Sequence, residues 1–210
     1  MISALMPTHN RAVFIPTAVE RFLTQDYPEK ELIILNDGDP ISHLLPNDPQ
    51  IKYYRELPRR NHGEKINRCA ELAGGELLVV WDDDDWYPAD RLSTVVQAFE
   101  NPTIEIVGSS TLYYQDGEKA YQYTSPKNVN WLASIAFRRS AWERHKCDPL
   151  PSGADWTFMQ KIRQENPASV IDLADPTLVI AKIHSGNVCK KRINTDYVPV
   201  SWEIIERLQK

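Results

Sequence analysis

With 210 residues, 42% of them hydrophobic and 25% charged, the chain can bury one sizeable core but hardly two, and its composition excludes a disordered or fibrous protein. No apolar run approaches the roughly 18 residues of a membrane span, and Met1–Leu5 is too short for a signal peptide, so the sequence reads as cytoplasmic. The cysteines Cys69, Cys147 and Cys189 are odd in number and far apart, which argues against a disulfide framework or a zinc knuckle. The net charge of −5 hides a gradient. Residues 1–118 carry 10 basic and 20 acidic groups and residues 119–192 carry 12 basic and 6 acidic, so the two stretches are expected to meet different partners.

In chain order, Ile2–Met6 is a short apolar run ended by Pro7, and Glu31–Leu35 is another ended by Asn36-Asp37-Gly38; both read as buried strands bounded by turn residues. Between them Ala18, Val19, Phe22 and Leu23 recur at helical spacing and Pro16 suits a first turn, which predicts a helix over 16–25. A second helix over 64–73 ends at Gly74-Gly75 and leads into a strand over 77–81. A third helix is expected over 88–99, then a hairpin pairing 104–114 with 120–124 about Gln115-Asp116-Gly117-Glu118. Shorter elements follow: a strand at 135–137, a helix over 154–164, strands near 170–173 and 178–183, and a C-terminal helix near 202–208. The alternation of strand and helix in the first half argues for an α/β domain with a mixed, mostly parallel sheet, whose ligands collect at the carboxyl ends of the strands.

Three stretches able to carry chemistry, Pro7–Arg11, Asn36–Asp37 and Asp82–Asp85, each follow a predicted strand, so a parallel sheet brings them to one edge. The four consecutive aspartates in "VVWDDDDWYPADRL" repel one another, and keeping them ionised at a partly buried strand end calls for a compensating cation. Oxygen ligands point to Mg²⁺ or Mn²⁺, which usually takes one or two carboxylates and completes its shell with substrate phosphates and water. A solvated acidic turn is the competing explanation.

The segments "ALMPTHNR", "LIILNDGD", "GEKINRCAELAGGELLVVWDDDDW" and "GADWTF", in this order and at these separations, resemble the family 2 glycosyltransferases over about residues 2 to 187. The resemblance implies one GT-A (Rossmann-like) domain over 1–210, with a nucleotide-sugar-binding half at 1–118, an acceptor-binding half at 119–192 and a C-terminal helix at 193–210. It further implies inverting transfer of a sugar from a nucleotide diphosphate donor, usually linked to UDP, to a hydroxyl acceptor, with Mn²⁺ or Mg²⁺ on the diphosphate. Matched position by position, Pro7, Thr8, Asn10 and Arg11 form the loop under the nucleotide, Asp37 accepts a hydrogen bond from the base, and Lys65 contacts the donor. Asp82, Asp83 and Asp84 match the DxD-type element, with Asp82 on the ribose or sugar, Asp84 on the metal, and Asp85 supporting the loop or touching the sugar. Asp155 takes the place of the general base, which works by standing within hydrogen-bond reach of the incoming hydroxyl. Ala154 stands where many members have Glu. His184 is a candidate metal ligand, and Lys190, Lys191 and Arg192 are candidate phosphate contacts.

Two other readings compete. A nucleotidyltransferase would use the same aspartates and Mg²⁺, but those enzymes typically open with a Gly-rich loop where this chain has Pro7-Thr8-His9-Asn10-Arg11. A non-catalytic nucleotide-sugar or glycan-binding module is disfavoured by Asp84 and Asp155. The acceptor is not fixed by the fold. The basic excess, including Lys127, Arg138, Arg139, Arg144 and Lys146, suits a polyanionic acceptor such as DNA bearing hydroxymethylated bases, with Trp131, Trp142 or Trp156 available for stacking; Trp86, Trp131 and Trp156 are candidate acceptor contacts. Glycans and other small hydroxyl compounds are the main alternative.

Overall fold

A computed structural model describes residues 1–125, 134–188 and 193–210. Strand β1 (Ile2–Thr8) lies at the centre, paired in parallel with β2 (Lys30–Asn36) over seven residues and with β4 (Leu77–Val80) over four. β3 (Ile51–Arg55) joins the far side of β2, also in parallel. On the other flank β8 (Ala136–Arg138) runs antiparallel between β4 and β5 (Ile106–Gly108), and β9 (Val170–Asp172) closes the edge, giving the order β3-β2-β1-β4-β8-β5-β9.

Every residue of β1 and β2 is buried, as expected of parallel strands covered on both faces. The two-residue period of the strand divides the core. Ala4 and Met6 pack with Ala18, Val19 and Phe22 of α1 (Ile15–Leu23) and with Leu92 and Val95 of α3 (Arg91–Ala98). Leu5 points the other way, to Ile66, Cys69 and Ala70 of α2 (His62–Leu72) and to Phe158 and Ile162 of α5 (Ala154–Glu165). Each fully buried side chain of the Val, Leu or Phe kind contributes about 1.5–3 kcal/mol. Burial also pushes the Cys69 and Cys147 thiols up to about 12, so both are inert packing residues; Cys189 lies outside the described residues.

The stretch 104–114, expected as one strand, is two strands in different sheets. The break is at Ser109-Ser110, where side chains replace the ladder: the Ser109 amide donates to Ser134 Oγ at 3.0 Å and the Ser110 amide to Asp172 Oδ1 at 2.9 Å. Beyond it, β6 (Thr111–Asp116) and β7 (Lys119–Thr124) form the expected hairpin, with Gly117 at φ 59°. They belong to a second sheet, ordered β10-β6-β7-β11, completed by β10 (Ile180–Lys182) and β11 (Tyr197–Val200). The residue 118/119 division falls in this hairpin's turn, and strands from both sides of it interleave in the main sheet. α4 (Arg139–Arg144) and α6 (Trp202–Leu208) complete the chain, and β3, α4 and β11 were not expected from the sequence. Among the described residues no helix is long and apolar enough to cross a membrane.

Candidate active site

The carboxyl ends of β1 and β4 open into a cleft of about 900 Å³. It is lined by Pro7, Thr8, His9 and Arg11, by Asp82–Asp85, by residues 59–62 with Lys65, and by residues 151–153, 155–156 and 186–188.

The aspartates have distinct surroundings. Asp83 is buried, accepting from Thr8 Oγ1 at 2.6 Å and from Arg11 Nη1 at 2.8 Å. Burial pushes its carboxyl above the ordinary range, against the pull of Arg11 and Thr8. Asp84 Oδ2 accepts from Arg11 Nη1 at 2.8 Å and from Asn187 Nδ2 at 3.3 Å, and lies 2.9 Å from His184 Nε2. Asp85 accepts the Lys182 amide at 2.9 Å, which ties the acidic loop to β10. The Asp82 amide donates to the Tyr87 hydroxyl at 2.7 Å. Beneath the loop the fully buried Arg91 donates to the Val80 carbonyl at 2.8 Å and sits over the Tyr87 ring.

The His184 ring has a defined tautomer. Its Nδ1 accepts the Gly186 amide at 3.1 Å, so in the neutral ring Nε2 carries the proton and donates to Asp84. Phe14 packs against it with ring centroids 4.9 Å apart.

The residues fit a divalent cation as an open site. Asp84 Oδ2 and His184 Nε2, 2.9 Å apart, offer a carboxylate and an imidazole, and a hard divalent cation usually takes few protein ligands beside phosphate and water; among the described residues no group of three His, Cys, Asp or Glu could hold a metal by itself. The guanidinium seated on Asp84 Oδ2 shows that this oxygen takes a cation. To ligate through Nε2, His184 has to adopt its other tautomer and give up the Gly186 amide.

Pro7, Thr8, Arg11, Lys65, Asp82–Asp85, Asp155 and Trp156 all line the cleft, and His184 reaches it through Asp84. Asn10 and Asp37 stand differently from expectation. Asn10, at φ 52°, turns its Oδ1 to the Asp39 amide at 2.8 Å; a Cβ on Gly38 would lie 2.2 Å from that oxygen, so the Asn10–Asp39 turn needs glycine there. Asp37 is buried below the wall, 2.9 Å from His9 Nδ1 and accepting from the Arg60 amide at 2.7 Å and Lys65 Nζ at 3.2 Å. Burial pushes the Asp37 carboxyl up, but the Arg60 amide, Lys65 and His9 together hold it below the ordinary carboxylate range.

Trp86 is not a cleft residue. Its backbone bridges Ile180 and its ring packs among Tyr113, Ala120 and Ile205, which corrects its expected place as an acceptor contact. Trp142 is buried too, its Nε1 donating to Asn67 Oδ1 at 2.9 Å. Two of the basic residues that suggested a polyanion are engaged in the fold: Arg138 donates to the Ile104 and Phe99 carbonyls and Arg139 to those of Gly75, Ala70 and Ala73; Arg144, paired with Glu105, and Lys146, over the Trp142 ring, are exposed. Lys127, Trp131, Lys190, Lys191 and Arg192 lie outside the described residues.

Asp155 occupies the first turn of α5, after Gly153 at φ 78°. Its place is set by close backbone contact between the starts of α5 and α2. A Cβ on Gly63 would lie 1.9 Å from the Asp148 carbonyl oxygen and 2.9 Å from the Ala154 Cβ, and the Gly63 amide donates to the Leu150 carbonyl at 3.0 Å. Asn67 grips Cys147 through both its amide and its carbonyl. Ala154 is fully buried in this contact, where the larger Glu would not fit without opening it. Sequence reasoning missed His9, Arg59, Arg60, His62 and Asn187. The Asn61-x-x-Glu64 spacing was a readable signal, since it forms a capping box that starts α2 at the cleft.

The family model described as "Glycosyl transferase family 2" matches residues 3–162. The GalNAc(5)-diNAcBac-PP-undecaprenol beta-1,3-glucosyltransferase of Campylobacter jejuni is 28% identical over 116 residues, covering 51% of this chain and 37% of that protein. S. aureus TarS in complex with UDP-GlcNAc superposes with a TM-score of 0.74 at 17% identity, over 91% of this chain and 61% of that one. The mannosyltransferase PcManGT from Pyrobaculum calidifontis, in complex with GDP-Man and Mn²⁺, gives 0.70 at 18% identity, over 89% and 58%. The chain thus spans less than two thirds of the length of each. The structural likeness establishes the GT-A fold, and the match over most of the sequence places the chain in glycosyl transferase family 2.

Proposed function

We propose that this chain transfers a sugar, with inversion, from a nucleotide diphosphate sugar to a hydroxyl acceptor, using Asp155 as general base and a divalent cation at Asp84 and His184. The observation that carries the reading is the shared cleft: Asp84, which His184 meets at 2.9 Å, and Asp155 border one cavity, large enough for a nucleotide sugar and the acceptor's reacting group. UDP is the favoured nucleotide and Mn²⁺ or Mg²⁺ the favoured ion; the neighbours that hold UDP-GlcNAc and GDP-Man with Mn²⁺ support the class of donor and of ion.

In this reading Pro7, Thr8 and Arg11 floor the nucleotide site, while Asp37 acts from below by fixing His9, Lys65 and the Arg60 backbone. Asn10 holds the neighbouring turn. Asp82 faces the donor, and Asp83 and Asp85 shape the loop through Thr8, Arg11 and Lys182. The cation, when bound, offsets negative charge on the departing diphosphate. Asp155 receives the hydroxyl proton as the new bond forms, and the exposed ring of Trp156 beside it offers a stacking face to an acceptor sugar. With Arg138 and Arg139 engaged on backbone carbonyls of the fold, the acceptor we favour is a sugar hydroxyl rather than DNA.

The test is transfer with a panel of UDP- and GDP-sugars and mixed sugar acceptors in Mn²⁺, in wild type and Asp155→Asn. Wild type should release nucleotide diphosphate in an acceptor-dependent way. Asp155→Asn should keep donor affinity and lose transfer by roughly 10²-fold or more. A variant retaining more than about a tenth of wild-type turnover would assign the base elsewhere.

A further inference from the structure

We propose that Arg11 is an exchangeable counter-cation: before donor binds it neutralises Asp83 and Asp84, and when a divalent cation takes Asp84 it turns to the donor's diphosphate. This rests on the donor site assigned above.

The geometry is that of a plug. One guanidinium nitrogen, Nη1, lies 2.8 Å from both Asp83 Oδ1 and Asp84 Oδ2, and the other, Nη2, donates to the Gly186 carbonyl. The same Asp84 oxygen faces His184 Nε2 and Asn187 Nδ2, so Arg11 stands where the proposed cation has to stand. Two positive charges on one carboxylate oxygen repel, so entry of one weakens the hold of the other and favours its displacement. Burial works against the charge on Arg11, but Asp83 and Asp84 outweigh it, and the guanidinium remains charged throughout.

Its destination is set by where it sits. Of the cationic side chains that line the cleft, Lys65 Nζ is held by Asp37 and the Thr8 carbonyl and Arg60 Nη2 by Glu56, while Arg11 is the arginine seated on Asp84, beside the proposed cation. Among the described residues Arg11 is bound to Asp84, which the incoming cation would claim, to Asp83 and to the Gly186 carbonyl, and a guanidinium matches phosphate oxygens in two-point geometry. Its second contact makes the exchange felt further out: Gly186 gives its carbonyl to Arg11 and its amide to His184 Nδ1, so displacing Arg11 and changing the His184 tautomer both loosen the 184–187 turn.

The exchange makes metal and donor binding cooperative beyond shared ligation, because the metal displaces Arg11 and the diphosphate gives it a new partner. By linkage each should raise the other's affinity by the same factor. Mn²⁺ binding, read from the EPR signal of the free ion, and UDP binding, read by calorimetry, should be measured in wild type, Arg11→Gln and Arg11→Lys, each alone and with the other ligand saturating. Removing the plug should tighten Mn²⁺ binding without UDP by at least about tenfold, weaken UDP binding in saturating Mn²⁺ by a similar factor, and shrink the coupling; Arg11→Lys should fall between. Wild type that binds Mn²⁺ and UDP together, beside an Arg11→Gln with unchanged or weaker Mn²⁺ binding, would overturn the exchange and leave the donor site standing. Wild type that binds no UDP at all would remove the donor site itself. If Arg11→Gln does not fold, by circular dichroism, the same comparison rests on Arg11→Lys, where unchanged Mn²⁺ and UDP affinities would overturn the proposal.

Discussion

Asp37 and Asp83 are both buried carboxylates beside the cleft, and their surroundings give them opposite effects on stability. Asp37 is held below the ordinary carboxylate range, so it binds its proton more weakly folded than unfolded; its contribution is present above about pH 3.9, the unfolded value, and is lost as pH falls through the folded pKa. Asp37→Asn should therefore lower the melting temperature at pH 7, and the loss should shrink as the acid range is entered. Asp83 is raised by burial, so its ionisation opposes folding as pH climbs from the unfolded value through the folded one. Asp83→Asn loses acceptors for Thr8 and Arg11 at every pH, so it should be destabilising in acid, where the wild-type carboxyl is protonated in both states, and less so toward pH 7, where the wild type also carries the cost of the buried charge. Melting curves of both variants across pH decide the matter; the same pH trend in both would show that hydrogen bonding, not charge burial, governs the pair.

At the scale of elements, α2 and α5 meet at their first turns, and that contact places both Lys65 and Asp155. Asn61→Ala removes the side-chain half of the capping box and should cost about 1 kcal/mol, read from chemical denaturation. Gly63→Ala is a finer probe, because its Cβ would collide with the Asp148 carbonyl and push the 148–155 segment away. We expect turnover to fall by roughly 10²-fold while UDP affinity stays near wild type, since a displacement of about 1 Å at Asp155, the proposed base, is enough for such a loss. Equal losses in turnover and UDP affinity would show that the contact supports the donor side instead. The strands and helices around this contact were legible because their cores follow plain rules: the apolar run of β1 ends at the strand-end loop, and Ala18, Val19 and Phe22 recur at helical spacing. What escaped was decided by side-chain-to-backbone bonds. Ser109 and Ser110 break an apolar run that periodicity alone would continue, and β3 alternates half-buried Ile51, Tyr53 and Tyr54 with charges, a pattern too weak to stand out.

For the whole molecule, a parallel sheet explains why residues as far apart in sequence as Thr8 and Asp83 share a hydrogen bond, and this convergence was readable from three strand-end motifs. The second half was not readable in the same way. Its basic residues looked like a surface for an anion, yet Arg138 and Arg139 cap backbone carbonyls at the seams between elements, a use of charge that a count cannot distinguish from exposure. His184 is brought to Asp84 from a hundred residues away because β10 pairs with β6 and is anchored through Asp85. The central claim, that Asp84 and the donor's diphosphate share one divalent cation, predicts that neither ligand binds well without the other. The most direct measurement is UDP-sugar affinity by calorimetry in Mn²⁺ and in EDTA, for wild type and Asp84→Ala. Wild type should bind at least about tenfold more tightly in Mn²⁺, and Asp84→Ala should show the weak EDTA value under both conditions. Equal wild-type affinity in Mn²⁺ and EDTA, with transfer intact in EDTA, would contradict the account.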